Sequence, residues 1–231
     1  MTSFVAHTTP LSIAVDGPVG AGKSTAAQKL AQRLNILHLD TGAMYRAVAL
    51  AALEAGIDLS DVAAIERINQ ASAVTVTFEN GMQHTWLNGR DVGEQIRSSQ
   101  VSTATSIISA VASVRALMVE RQRAIARQTS AVLDGRDIGT RVLPDAPVKF
   151  YLTASPEIRA KRRLKELFAK GETLSFGQVL SDVKARDLRD STREVDPLRP
   201  ADDAIIIDTS GMTLNEEVER MLEIVTHKVG T

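Results

Sequence analysis

The sequence predicts an α/β fold: a parallel sheet flanked by helices, interrupted by a small antiparallel β insertion. Three observations predict it. Short apolar segments that end in Asp alternate with stretches of helical periodicity, the pattern of β–α–β units. A glycine-rich turn, Gly17 to Gly22, joins the first apolar segment to the first helix. Between Val74 and Leu87 the pattern changes to β-branched alternation around Asn80-Gly81, a hairpin signature.

The elements follow in order. Leu11–Val15 is a short apolar run that stops at Asp16-Gly17-Pro18 and reads as a buried strand. Ser24–Leu34 has apolar residues at helical spacing, and Ile36–Leu39 reads as a second strand ending at Asp40. Ala43–Ala55 is an Ala/Leu-rich helix closed by Gly56. Ser60 is the expected cap of a helix through Gln70. Val74–Phe78 and Met82–Leu87 form the hairpin, and Asn88-Gly89 makes another turn. Ser113 is the expected cap of a helix to about Gln128. Ala131–Leu133, Val148–Leu152 and Ala204–Ile207 complete the strands. Ser155-Pro156 starts one helix, with proline in its first turn. Ser175 with Gln178, and Thr213 with Glu216, fit capping boxes for the last two.

Composition narrows the function. Lys+Arg 27 against Asp+Glu 28 gives a net charge of −1, which argues against a long polyanion as partner. Aromatic residues make up 3% of the chain, too few for a platform that stacks single-stranded bases. The chain has no cysteine, so disulfides and thiol catalysis are excluded. No apolar run approaches the ~20 residues that span a membrane, and MTSFVAHTTP lacks the features of a secretory signal. The expectation is a cytoplasmic monomer that binds neither a nucleic acid polymer nor a membrane.

Gly17-Pro-Val-Gly-Ala-Gly22-Lys23-Ser24 fits G-x-x-x-x-G-K-[ST] between a strand and a helix. Backbone N–H groups of such a loop wrap phosphate oxygens, and the helix that follows turns its positive end to the anion. The expected fold is therefore the P-loop nucleotide-binding one. Gly17, Pro18, Val19, Gly20, Ala21, Gly22, Lys23, Ser24 and Thr25 are the expected ATP site. Ser24 offers a hard oxygen to Mg²⁺, and Asp134, at the end of an apolar strand, is expected to help hold the ion, through water or directly. Asp16 also ends a strand and reads as an ordinary turn carboxylate.

A second set of charges points to a second anion. Arg46 follows Asp40 in LDTGAMYR, and Arg136 and Asp137 follow a strand end in DGRDIGT. Ligands of α/β sheets collect at the carboxyl ends of strands, so these residues share an edge with the phosphate loop. Arg186, Arg189, Asp190 and Arg193 are spaced to share one helix face. Arg159, Arg162 and Arg163 form a third group, on a helix suited to closing over phosphates.

IAVDGPVGAGKSTAAQKLA, LDTGAMYRAVAL, NGRDV, LDGRDIGTRVLPDAPVKFYL, RDLRDSTR and DDAIIIDTS together resemble the bacterial cytidylate kinase family of nucleoside monophosphate kinases, from Leu11 to the C-terminal helix. The resemblance implies transfer of a phosphoryl group from ATP to CMP or dCMP, with Mg²⁺. Residues 1–10 read as a loose polar tail; the resemblance implies a core (11–60 and 108–231) with a lid around 159–175, and an NMP-binding insertion (61–107). Transferred to this chain, the family's acceptor-phosphate contacts fall on Thr41, Arg46, Arg136 and Arg193. Its cytosine contacts fall on Ser106, Arg115 and Asp137, and its sugar contacts on Arg186 and Asp190. Lys23, Arg136, Arg159 and Arg162 are the expected catalytic cations. The base chemistry agrees: a carboxylate accepts from the cytosine amine, and uracil reverses that pattern.

Rival readings have less support. A GTPase needs N-K-x-D, which does not occur, and Leu174-Ser-Phe-Gly-Gln178 mimics a transporter signature without the strand that should follow it. Another small P-loop kinase, for shikimate or a different nucleotide, lacks the hairpin insertion and the DGRD segment. A binding module without turnover leaves the second set of arginines unexplained.

Overall fold

The computed structural model describes residues 10–230. The expected tail therefore lies outside the described residues except for Pro10. The chain opens with β1 (Ser12–Asp16), α1 (Lys23–Leu34), β2 (Leu37–Asp40), α2 (Thr41–Glu54) and α3 (Val62–Ala71). A hairpin follows, β3 (Val74–Glu79) and β4 (Met82–Leu87), with a short third strand β5 (Arg90–Asp91). After a 3-10 turn (Gln95–Arg97) come α4 (Ser99–Ile108), α5 (Ala112–Ala126), β6 (Ala131–Asp134) and a π-helical turn (Ile138–Val142). The chain closes with β7 (Val148–Thr153), α6 (Pro156–Ala169), α7 (Phe176–Thr192), β8 (Ile205–Asp208) and α8 (Leu214–Val229).

Five parallel strands form the central sheet in the order β2-β6-β1-β7-β8. Alternation explains its two cores, because successive strand residues point to opposite faces. Ile13 and Val15 of β1, with Val132 of β6, pack with Leu30 of α1 and Met221 of α8. Ala14, Ala131 and Leu133 pack on the other face with α2, α4 and α5. A third, small core joins α6 and α7 through Ala160, Leu167, Val179 and Val183. In register, Val15 and Asp40 both lie beside Asp134, so carboxylates from neighbouring strands line one sheet edge.

The hairpin forms a separate antiparallel sheet with register Glu79↔Met82. Asn80 and Gly81 both have positive φ, 51° and 75°, as the twist of a two-residue hairpin turn requires. Asn88 and Gly89 repeat the device before β5. Among the described residues no single helix is long and apolar enough to cross a membrane.

The structure corrects four local expectations. Asp61, not Ser60, caps α3; its carboxylate accepts from the Ala64 N–H at 2.9 Å. Ser113 lies inside α5, which begins after Val111 without a side-chain cap, and its hydroxyl donates to Glu66 of α3 at 2.9 Å. Helix α4 was not expected, because its Ser- and Thr-rich sequence carries little helical signal. The π-helical turn after Asp137 was not expected either, since its structure depends on a tertiary contact.

The cap correction has a measurable consequence. Asp61→Ala should lower Tm by about 2–4 °C in thermal unfolding, whereas Ser60→Ala should leave it within about 1 °C. The reverse order of effects would restore Ser60 as the cap.

Candidate active site

The site begins where β1 ends. Gly17 has φ 145°, and a Cβ there would sit 2.0 Å from the Leu152 carbonyl oxygen of β7. Only glycine lets the chain leave the sheet at this point. Helix α1 has no side-chain N-cap and no acidic residue in its first turn, so its leading N–H groups are left for an anion. Lys23 opens that helix and is buried, with Nζ donating to the Pro18 carbonyl at 2.7 Å. Burial, and then the charge of Arg136, hold its amine well below the ordinary lysine range.

Beside it, the Ser24 hydroxyl donates to Asp134 Oδ2 at 2.6 Å. The other carboxylate oxygen meets His38 Nε2 at 2.7 Å, and Thr41 Oγ1 donates to the Asp134 carbonyl at 2.7 Å. Burial works to raise the Asp134 pKa, but hydrogen bonds from His38 and Ser24 and the charge of Lys23 keep it below the usual carboxylate range. Two hard oxygens on adjacent elements beside a phosphate loop suit a divalent cation.

One cleft of about 240 Å³ contains this pair and a cluster of arginines. Arg46 meets Asp40 at 2.5 Å, and Asp40 also caps α2 by accepting from Ala43 N–H. Arg136 Nε donates to Asp190 at 3.0 Å. Arg186 donates to Ser102 at 3.1 Å, and its buried Nε makes no hydrogen bond but lies 3.9 Å from Asp190. Burial and then Arg136 push the Arg186 guanidinium down to about 10. Arg115 is buried; it pairs with Asp137, donates to Asp196 at 2.9 Å and to the Ser109 carbonyl at 3.1 Å. Its guanidinium lies 5.6 Å from the Tyr45 ring centroid, within cation–π range. Arg193 donates to the Asp196 carbonyl and lies 3.8 Å from Asp137.

The expected residues are therefore placed unevenly. Lys23, Ser24, Thr41, Arg46, Arg115, Asp134, Arg136, Asp137, Arg186, Asp190 and Arg193 line one cleft. Ser106 lies in a neighbouring hollow, where its hydroxyl accepts from Arg189 at 3.1 Å. Arg159 is buried and fully engaged with the Ala154 and Val19 carbonyls and with Asp187. It brackets α6 to the phosphate loop and to α7. Arg162 donates to Thr209, while Arg163 lines the cleft. Lys170 donates to the Arg97 carbonyl at 2.9 Å and Ser99 to Glu172 at 2.6 Å, so the segment after α6 touches the start of α4.

Sequence reasoning missed His38, Tyr45 and Asp196 as parts of the site. His38 carried a signal, since it sits two residues before Asp40 on a strand. Asp196 carried none, because its contact with Arg115 spans 81 residues. Asp16 is not an ordinary turn carboxylate. It is 3% exposed and accepts from two backbone N–H groups, of Ile138 and Gly139.

Comparison with known proteins places the chain in context. The family model for cytidylate kinase matches residues 13–227. The cytidylate kinase of Desulforamulus reducens is 48% identical over 91% of this chain and 94% of its own length. That of Carboxydothermus hydrogenoformans is 47% identical over 94% and 98%, and that of Rhodococcus jostii 46% over 96% and 98%. At this identity and coverage, the chain belongs to the cytidylate kinase family.

Proposed function

We propose that the protein transfers the γ-phosphoryl group of ATP to CMP or dCMP, giving ADP and CDP or dCDP. One observation carries the reading. A phosphate loop and a separate arginine cluster open into the same cleft, so two phosphorylated substrates can meet there. A consumer of ATP and CMP belongs in the cytoplasm. The bounds that suit this activity are an NMP-binding insertion over 61–107, a core over 11–60 and 108–231, and a lid over 159–175.

The loop amides and Lys23 bind the donor phosphates. Arg46, Arg136 and Arg193, with Thr41, hold the acceptor phosphate, and Arg186 with Asp190 holds the sugar. Asp196 holds Arg115, and Arg115 fixes Asp137 from one side. Asp137 Oδ1 is left to accept from the exocyclic amine of cytosine, a donor that uracil lacks. The attacking atom is a phosphate oxygen that is already anionic, so the protein supplies no strong general base. Its task is to align two polyanions and stabilise charge on the group in flight. Arg136 lies between the two anion sites and serves both. Arg162 and Arg163 bring further positive charge from the lid helix, which Arg159 anchors. Contact of Lys170 and Glu172 with the insertion fits a lid that excludes water while the substrates are held. Mg²⁺ fits the Ser24–Asp134 pair, directly or through water, and when bound it would neutralise charge on the donor phosphates.

In a panel of nucleoside monophosphates with MgATP, ADP should form fastest with CMP or dCMP; a preference for AMP or for shikimate would contradict the proposal. Lys23→Ala should lower kcat at least 100-fold while Tm stays level or rises, because a buried cation is removed. Near-normal turnover would refute its role. Asp137→Ala should raise KM for CMP at least tenfold and KM for ATP much less; equal changes would make Asp137 a purely structural residue.

A further inference from the structure

The π-helical turn that carries Asp137 has an unusual arrangement of hydrogen bonds. Asp137 stands at the N-cap position of the turn, yet its side chain makes no cap hydrogen bond. An Asp at such a position ordinarily folds back onto the free N–H groups ahead of it. Here those groups are taken by a residue 122 positions away. Asp16 Oδ1 accepts from Ile138 N–H at 2.8 Å and Oδ2 from Gly139 N–H at 2.7 Å. Asp16 ends β1, immediately before the phosphate loop. A Cβ on Gly139 would lie 3.4 Å from Asp16 Oδ2 and 3.1 Å from the Lys149 stem, so the turn is packed tightly on the carboxylate.

We propose that Asp16 is a positioning residue for base selection: by occupying both amides it keeps the Asp137 carboxylate turned toward Arg115 and the cleft. The proposal rests on reading Asp137 as the acceptor of the cytosine amine. It also joins the two substrate loops through one side chain, since the residue that fixes the acceptor loop is covalently next to the donor loop.

The carboxylate must be ionised to accept twice. Burial pushes its pKa up to about 7, against the two amides, with Asp137 raising it and Lys23 lowering it. Tyr151, its register neighbour on β7, and Lys149 on the same strand also lie beside the turn; the Lys149 amine is held by the Pro144 carbonyl and Asp203. Below neutrality a protonated Asp16 keeps one good acceptor and releases its grip on the turn.

The test compares kcat/KM for CMP with that for UMP. The ratio cancels general loss of folded enzyme and titration of the substrate phosphates. Asp16→Asn, which retains one acceptor, should lower the ratio about tenfold while KM for ATP changes less than threefold. In the parent enzyme the ratio should fall as pH drops through about 7, and in Asp16→Asn that inflection should vanish. Asp137→Asn measured in parallel separates the two claims. If it lowers the ratio and Asp16→Asn does not, the positioning role is overturned while the reading of Asp137 stands. If Asp137→Asn leaves the ratio unchanged, both fall. Should Asp16→Asn fail to fold, the parent profile is followed down to pH 5, and a ratio flat from pH 5 to 8 overturns the proposal.

Discussion

Lys23, Arg136 and Arg186 share one partly buried cleft, and Arg136 makes both Lys23 and Arg186 harder to keep charged. Seven cationic side chains line that cleft against five carboxylates. Burial and Arg136 lower the affinity of both Lys23 and Arg186 for their protons, and the Asp134 and Asp190 carboxylates offset this only in part. In a medium of low effective dielectric such repulsion persists unless an anion joins the cluster. Two phosphorylated substrates bring what the cleft lacks. The free enzyme therefore carries an electrostatic strain that binding relieves, a trade of stability for function.

The fold places these charges with few elements. Parallel strands put their carboxyl ends on one edge, so Asp16, Asp40 and Asp134 stand side by side without any loop having to reach. Each carboxylate there holds something else in place. Asp40 caps α2 and holds Arg46; Asp134 joins Ser24 to His38; Asp16 holds the turn behind Asp137. The donor and acceptor sides are thus tied through the ends of β1, β2 and β6. Helices α6 and α7 share a small core and meet the rest through Arg159, Arg162 and the contacts of Arg186 and Arg189 with α4.

What the sequence made legible follows the range of the interactions involved. Elements set by local signals were readable: the glycine loop, the Asn80-Gly81 turn, and the capping boxes at Ser175 and Thr213 all formed where expected. So was the edge of the sheet where charges collect, because strand ends are local and the parallel rule is general. Helix α4 was not readable, since its residues stabilise a helix only through burial against α2. Arg159 looked like its neighbours on α6 in sequence, but burial and Asp187 give it a different place. Asp16 looked like any turn Asp. Its two partners lie 122 and 123 residues away, and no local pattern reports them.

Arg186 offers the most direct test of the strain in the cation cluster. Its buried Nε makes no hydrogen bond and lies 3.9 Å from Asp190, which keeps the closer Arg136 if Arg186 is removed. The decisive measurement is thermal unfolding of Arg186→Met with and without CMP. A Tm at or above that of the parent without ligand, together with loss of most of the rise that CMP gives the parent, is the predicted result. A ligand-free Tm several degrees below the parent would show that Arg186 stabilises the fold, and would contradict a cleft held under repulsion until its anions arrive.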